Sequence, residues 1–395
     1  MFCSMLHASC SMIIGIDASR AFVKNRTGIE EYSYQVIKNL TSFLGESQVL
    51  LYLDPRVNKR EHIDFELPKN WETRFLRAPK FWTQVRLSFE MMFRPVDVLF
   101  APAHTVPLIH PKNTIVAIHG LEYEFCPKAY SLFERMYMRW SIRKSCGWAK
   151  KIIAVSKNTK KDLMKLYRVP EEKISVIHEG YGKADFKTQN SKLPPALLRE
   201  ALRAGKTATQ NLKLLGCGYL LFTGRLEERK NIRGIVEAFG ILKKKYNVSH
   251  KLILVGKFGY GREKIKNKTN NSKYKNDIIL TGYVSDEDKF YLMADADVFL
   301  FPTFYEGFGL PILEAQSVGT PVVTSNVSSM PEVAGDGAVL INPKDISAIA
   351  EAVYKLISNE SYKNDIIEKG YNNLKRFSWE NCAREVADIL LSSRT

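Results

Sequence analysis

Short apolar runs rich in β-branched residues recur along the whole chain, each followed by a stretch with helical spacing, and the series starts again past the middle. This alternation constrains the fold most tightly, because parallel strands need crossover connections, and covering helices bury both faces of the sheet. In the first series the expected strands are 13–17, 49–53, 96–100, 114–118, 151–155 and 174–177, with helices near 29–43, 131–145 and 158–167. In the second they are 219–222, 251–255, 278–280, 297–301, 321–324 and 338–341. Residues 185–215 between them are rich in Lys, Asn, Gln and Pro, with a helical fragment at 195–203, and read as the domain boundary. At 395 residues the chain also exceeds what one core usually supports. The expectation is α/β, two doubly wound parallel-sheet, Rossmann-like domains whose ligands bind at the carboxyl ends of the strands. A Lys- and Asn-rich stretch at 257–277 reads as a surface loop, and 380–391 as a final amphipathic helix after Phe377-Ser378-Trp379.

Composition removes several classes of function. With 45% hydrophobic residues and no run near the roughly 18 apolar residues of a membrane span, any membrane contact is expected to be peripheral. No basic residue precedes the apolar part of the first twenty residues, so these are not read as a signal peptide; Met12 can serve as the start, with 1–11 dispensable. The six cysteines show no Cys-x-x-Cys pair and no metal spacing with the seven histidines, and are expected as reduced thiols in a cytoplasmic protein. The net charge of +16 is gathered in clusters such as Lys150-Lys151 and 157–165. Those clusters lack the zinc-finger or aromatic signatures of nucleic-acid binding, which leaves a solvated basic face or attraction to an anionic leaflet.

The chemistry concentrates in Phe304-Tyr305-Glu306-Gly307-Phe308-Gly309-Leu310-Pro311-Ile312-Leu313-Glu314. A strand-like run ends in a loop carrying Glu306; a helix is expected to open at Pro311, with Glu314 on its first turn. Gly307 and Gly309 remove side chains, so backbone N–H groups can approach an oxyanion at the helix's positive end. Ionised carboxylates beside such a site accept from sugar hydroxyls. Either glutamate alone is more often a solvated loop residue or a carboxylate stabilised by the helix dipole. Upstream, strand 219–222 runs into Thr223-Gly224-Arg225-Leu226, with Lys230-Asn231 opening the next helix. Arg225 offers a fork of donors and Lys230 a point charge, a pair suited to the charge that develops on a diphosphate leaving group.

The stretch 294–343 resembles the nucleotide-sugar-binding half of glycosyltransferase family 4, retaining enzymes of the GT-B fold. The likeness rests on the Glu-x7-Glu spacing, the Gly-Phe-Gly-Leu-Pro link, Gly319-Thr320-Pro321-Val322-Val323 and the turn at Pro331-Glu332. It implies an acceptor domain over 1–198, a donor domain over 199–376, the two facing across a cleft, and a C-terminal helix over 377–395 crossing back to the first. Gly224, Arg225 and Lys230 then match a diphosphate clamp that replaces a metal. Tyr283 and Val284 border the nucleobase, Glu314 holds the ribose, and Glu306 holds the donor sugar with backbone contacts from the Gly307, Phe308, Gly309 and Leu310 link. Thr27 and Gly28 match a phosphate-facing loop, although the usual Gly-Ile-Gly is here Gly28-Ile29-Glu30. His119, followed by Gly120 where many relatives have Asp, positions donor or acceptor, and His104 shapes the acceptor pocket.

The function this implies is transfer of a hexose, with retention, from a nucleoside-diphosphate sugar to a glycan or lipid-linked glycan at the inner face of the cell membrane. No cofactor, metal or nucleic acid is called for. The mannosyltransferase-like members are nearest in feel, which favours GDP-mannose. A sugar-nucleotide epimerase of the same fold and a non-catalytic basic polymer-binding protein are the alternatives; the joint retention of Arg225, Lys230, Glu306 and Glu314 counts against the second.

Overall fold

The computed structural model describes residues 12–24, 26–78, 81–182 and 218–393. The expected boundary at 198–199, the linker 185–215 and the segment 1–11 lie outside them. Two compact units emerge, each around one parallel sheet.

The first unit is formed by the described residues up to His119, by Met136–Glu179 and from Trp379 onward. Its sheet has the order β3-β2-β1-β4-β5-β6-β7. The strands are β1 Ile13–Asp17, β2 Gln48–Leu53, β3 Trp71–Phe75, β4 Val98–Ala101, β5 Thr114–Ile118, β6 Lys151–Ala154 and β7 Ile174–Val176. All pair in parallel, and the central ones are buried on both faces, as helix-covered strands should be. Strand β3 is absent from the expected series because it is an edge strand: Trp71 is buried, while charged Glu72 and Arg74 break the apolar run. Helices Gly28–Leu40 and Trp379–Ser392 pack against each other, with the Tyr32 and Trp379 rings 6.1 Å apart.

The second unit holds Gly120–Arg135 and Gly180–Ser378. Its sheet follows β10-β9-β8-β11-β12-β13, with β8 Tyr219–Thr223, β9 Lys251–Val255, β10 Ile278–Gly282, β11 Val298–Phe301, β12 Val322–Ser325 and β13 Ala338–Ile341. Its inclusion of Gly120–Arg135 is something no single cut in the sequence expresses. The segment is held by the Leu121 N–H donating to the Tyr305 hydroxyl at 3.1 Å and by Phe125 stacked on Tyr305 at 4.4 Å. The stretch expected as a loop at 257–277 instead contains the helix Arg262–Asn270, anchored by buried Ile265 and Thr269. One apolar anchor among lysines and asparagines is too little periodicity to read from sequence. The Pro331-Glu332 turn is the middle of a short helix, Met330–Ala334.

Candidate functional site

Strand β8 ends at Thr223, and the chain passes through Gly224, Arg225 and Leu226 into a tight turn at Glu228–Lys230 before the helix Ile232–Tyr246. Asn231 makes the junction in left-handed conformation (φ 58°), its side-chain amide donating to the Pro343 carbonyl at 2.7 Å. This delivers Arg229 and Lys230 inward, beside the loop after β11. The Arg229 carbonyl accepts from the Phe304 N–H at 3.0 Å and the Thr303 hydroxyl at 3.1 Å, so the two loops are tied at the backbone.

Glu306 stands at the centre of the resulting charge cluster. Arg229 Nη1 donates to its carboxylate at 2.6 Å and to the Tyr305 carbonyl at 2.9 Å, and Lys230 Nζ is ion-paired with the same carboxylate. Its main chain is clasped as well. The Ser328 hydroxyl lies 3.1 Å from its N–H and 2.6 Å from its carbonyl, and Ser329 Oγ lies 2.8 Å from the same carbonyl and 2.6 Å from that of Phe308. Burial alone would push the Glu306 carboxyl up, but Arg229 and Lys230 outweigh it and hold the group below the usual carboxylate range. Glu306 is therefore ionised at neutral pH. Burial lowers the Lys230 ammonium despite its partner, whereas for Arg229 the burial penalty is overcome by Glu306 and Glu122, which raise its pKa. Burial raises Glu122 above its ordinary value; Arg229 opposes this and the neighbouring charge of Glu306 reinforces it.

Arg225 differs from Lys230. Its side chain is largely exposed and pairs with Glu227 Oε1 at 3.5 Å, and the other oxygen of Glu227 lies 3.5 Å from Arg229 Nη2. The residues expected as a clamp thus comprise one buried cation locked on Glu306 and one solvent-facing cation linked to it through Glu227 and Arg229.

The helix after Glu306 is Leu310–Ser317, opening one residue before Pro311, so Glu314 lies on its second turn and not on its first. Gly309 precedes it at φ 124°, a backbone conformation that side-chain-bearing residues rarely adopt, so the glycine is required by the backbone. Glu314 accepts from Lys289 Nζ at 2.9 Å; the same ammonium lies 3.1 Å from Asp286, and these carboxylates overcome burial to raise the lysine's pKa. Lys289 is on helix Asp286–Asp295, which begins directly after Tyr283, Val284 and the capping Ser285. The structure thus joins Glu314 to the segment expected to border the base. Tyr283 is exposed, with Lys257 Nζ 5.2 Å from its ring centre, and Val284 is half-buried.

The remaining expected residues belong to the first unit. Thr27 precedes helix Gly28–Leu40, and the Glu30 carboxylate accepts from both its N–H, at 3.1 Å, and its hydroxyl. The departure from Gly-Ile-Gly at residue 30 is a helix cap, since Glu30 satisfies an N–H that the first turn leaves open. Gly28 is exposed, with nothing within 4 Å of where a Cβ would sit. His119 is buried; Nε2 donates to the Pro102 carbonyl at 2.8 Å and Nδ1 lies 3.2 Å from Glu179. Both ring nitrogens are engaged inside its own unit. His104, at φ 62°, has its ring 5.1 Å from that of His119, and burial, then the charge of His119, lowers its pKa well below the ordinary value.

Arg229, Glu122, Lys289 and the pair Ser328-Ser329 are contacts that sequence reading missed. Arg229 carried a signal, since it sits beside Lys230 and on a tight turn only the fold decides which neighbour points inward. Glu122 carried none, being over a hundred residues from its partners. Gly120 explains the missing Asp after His119. At φ 145°, a Cβ there would meet Gly307 Cα and the Glu122 carboxylate, each at 3.0 Å.

A model of the family described as "Glycosyltransferase Family 4" matches residues 26–181, and one described as "Glycosyl transferases group 1" matches 208–373. Over 274 residues the chain is 32% identical to the O-antigen chain mannosyltransferase B of Escherichia coli, covering 69% of each chain. The chain belongs to glycosyltransferase family 4. As a member of that family it is a glycosyltransferase. A second relative is the O-antigen chain mannosyltransferase RfbU of Salmonella typhimurium, 25% identical over 80% of this chain and 78% of its own. Among solved structures, Anabaena Alr3699/HepE in complex with UDP-glucose superposes with a TM-score of 0.70 at 16% identity, covering 96% of this chain and 99% of that one. WaaG, a glycosyltransferase involved in lipopolysaccharide biosynthesis, does so at 0.69 and 16%, covering 96% and 99%. At that identity the likeness establishes the fold, which is GT-B.

Proposed function

We propose that this glycosyltransferase is a mannosyltransferase of surface-polysaccharide synthesis that takes mannose from GDP-mannose with retention of anomeric configuration and without a metal. Its acceptor is a glycan, lipid-linked, met at the inner face of the cell membrane. The observation that carries this reading is the cluster in which Arg229 and Lys230 hold Glu306 ionised beside the opening of helix Leu310–Ser317, with Glu314 one turn further along. An ionised Glu306 accepts from sugar hydroxyls, and Glu314 accepts from ribose hydroxyls beside the Tyr283-Val284 segment. Lys230 and Arg225 meet the charge that grows on the diphosphate as the glycosidic bond breaks, which is the work a divalent ion would otherwise do. The leaving phosphate then takes the proton of the attacking acceptor hydroxyl on the same face. Mannose is favoured because the relatives named above are mannosyltransferases. Among the described residues no helix is long and apolar enough to cross a membrane, so membrane contact in this reading is peripheral.

The test is transfer from GDP-mannose, UDP-glucose and GDP-glucose to a lipid-extracted acceptor, with and without chelator, followed by NMR of the product anomer. Turnover with GDP-mannose that survives chelation and gives an α-linked product is expected. An inverted product, or activity that disappears with chelator and returns with magnesium, overturns the mechanism; turnover only with UDP-glucose overturns the donor.

A further inference from the structure

We propose that one face of the first unit is a docking surface for an anionic lipid bilayer, formed by helix Ser88–Phe93, the loop after β4 and the part of helix Leu132–Trp148 from Met136 onward. In the strand order β3-β2-β1-β4-β5-β6-β7, the crossovers from β3 to β4 and from β5 to β6 run in the same direction. Right-handed connections place their helices on one face of the sheet. The loop after β4 lies between them and is hydrogen-bonded to both. The Gln84 side chain donates to the Val106 carbonyl at 3.3 Å and the Ile109 N–H to Ser88 Oγ at 3.2 Å on one side; the Val106 N–H donates to Ser145 Oγ at 2.9 Å on the other.

Three apolar groups are thereby laid side by side, and all face water. Phe89 and Phe93 stack on each other at 6.5 Å and are 51% and 73% exposed. Leu108 and Ile109 are exposed on the loop, and Tyr137 and Trp140 on the second helix. That helix buries its opposite face, Ser141, Ile142, Ser145 and Cys146, in the unit. Exposed apolar side chains on elements hydrogen-bonded to one another mark an interaction surface.

Charge selects the occupant. From Met136 to Trp148 the second helix carries no Asp or Glu and three Lys and Arg residues, Arg139, Arg143 and Lys144, all exposed. On the first helix the acidic Glu90 is buried and neutralised by Arg74, Arg86 and Arg94. Aromatic side chains at headgroup depth flanked by cations fit an anionic bilayer. A second copy across a two-fold axis would instead bring like charges together. The inference deepens the proposal of a lipid-linked acceptor by naming the surface that meets the lipid.

Vesicle flotation of the full-length protein tests it, using phosphatidylglycerol-containing and pure phosphatidylcholine vesicles, with Trp140 as reporter because the other described tryptophans are more buried. The wild type is expected to bind the anionic vesicles, release with salt, and shift its emission to the blue. The double variant F89S/F93S should bind at least tenfold more weakly, since these rings lose their apolar contact. R143Q/K144Q should lose roughly fivefold per cation on anionic vesicles only. Both variants should keep wild-type thermal stabilisation by GDP-mannose, because none of the four residues belongs to the charge cluster. Undiminished vesicle binding by F89S/F93S overturns the docking face, as does a wild-type dimer in sedimentation that this variant converts to monomer. If vesicle binding behaves as expected while GDP-mannose gives no stabilisation, the docking face stands and the donor assignment falls.

Discussion

The two sheets share one strand order over six strands, to which the first adds β7, yet their corresponding strand ends differ in electrostatics. In the first unit the loop after β4 holds His104, driven toward its neutral form by burial, and β1 ends at Asp17, whose carboxyl burial also pushes up toward its neutral form. In the second unit the corresponding loop after β11 holds Glu306, kept ionised by two buried cations, and the turn after β8 supplies those cations. At one set of strand ends burial favours the neutral forms of His104 and Asp17, whereas at the other two cations hold Glu306 ionised. A fold of this kind offers a place for a site without specifying its chemistry, which the side chains at the loops decide. In the reading proposed above, the charged set meets the diphosphate.

This contrast breaks first at Arg229. Arg229→Met leaves Glu306 and Glu122 with Lys230 as their remaining cation, so it is expected to cost about 3–5 kcal/mol, measured by denaturant unfolding. A loss under about 1 kcal/mol would mean that the cluster is not what holds this loop. Lys230→Gln comes next: transfer should fall by about 10²–10³, as for removal of one preorganised donor. Arg225→Gln should fall by less, because its side chain already faces solvent. Equal losses in steady-state kinetics would contradict the distinction between a buried and a solvated cation.

The two glutamates sharpen the comparison within the charged unit. Glu314→Gln should weaken the free nucleoside diphosphate and the sugar nucleotide alike, by roughly 1.5–3 kcal/mol, whereas Glu306→Gln should leave the free diphosphate near wild type and weaken only the sugar nucleotide. Calorimetry with both ligands decides between a sugar role and a ribose role. The pH dependence follows from the same group. Its folded pKa is depressed, so the stability it contributes is present above its unfolded pKa of about 4.3 and is lost as pH falls through the folded value. The stability gap between wild type and Glu306→Gln should accordingly close on acidification; a gap that widens in acid would reverse the assignment.

The smallest effect is expected in the first unit. Gly28 has open space at its Cβ position and no left-handed φ, so Gly28→Ala should leave stability unchanged or raise it by up to about 1 kcal/mol. If transfer falls nonetheless, the backbone at residue 28 is approached by substrate, as the resemblance implies. If transfer is unaffected, that loop has no phosphate to meet.

The strands of both sheets were legible because they are buried on both faces and read as unbroken apolar runs. Strand β3 and helix Arg262–Asn270 were not, since each shows the core only one or two side chains. The Glu-x7-Glu spacing and the turn after β8 were legible as local motifs, and with them Glu306, Glu314, Arg225 and Lys230. Sequence could not separate Arg225 from Arg229. Both follow the same strand, and the left-handed Asn231 and the backbone bonds to Thr303 and Phe304 turn one inward. Nor could it place Glu122 beside Arg229, or lay Phe89, Leu108 and Trp140 along one face. Local propensity and burial pattern along the chain determined which elements form. Which charges meet across elements was decided only by tertiary packing, because ion pairs and patches depend on positions in space that the chain reaches by separate routes.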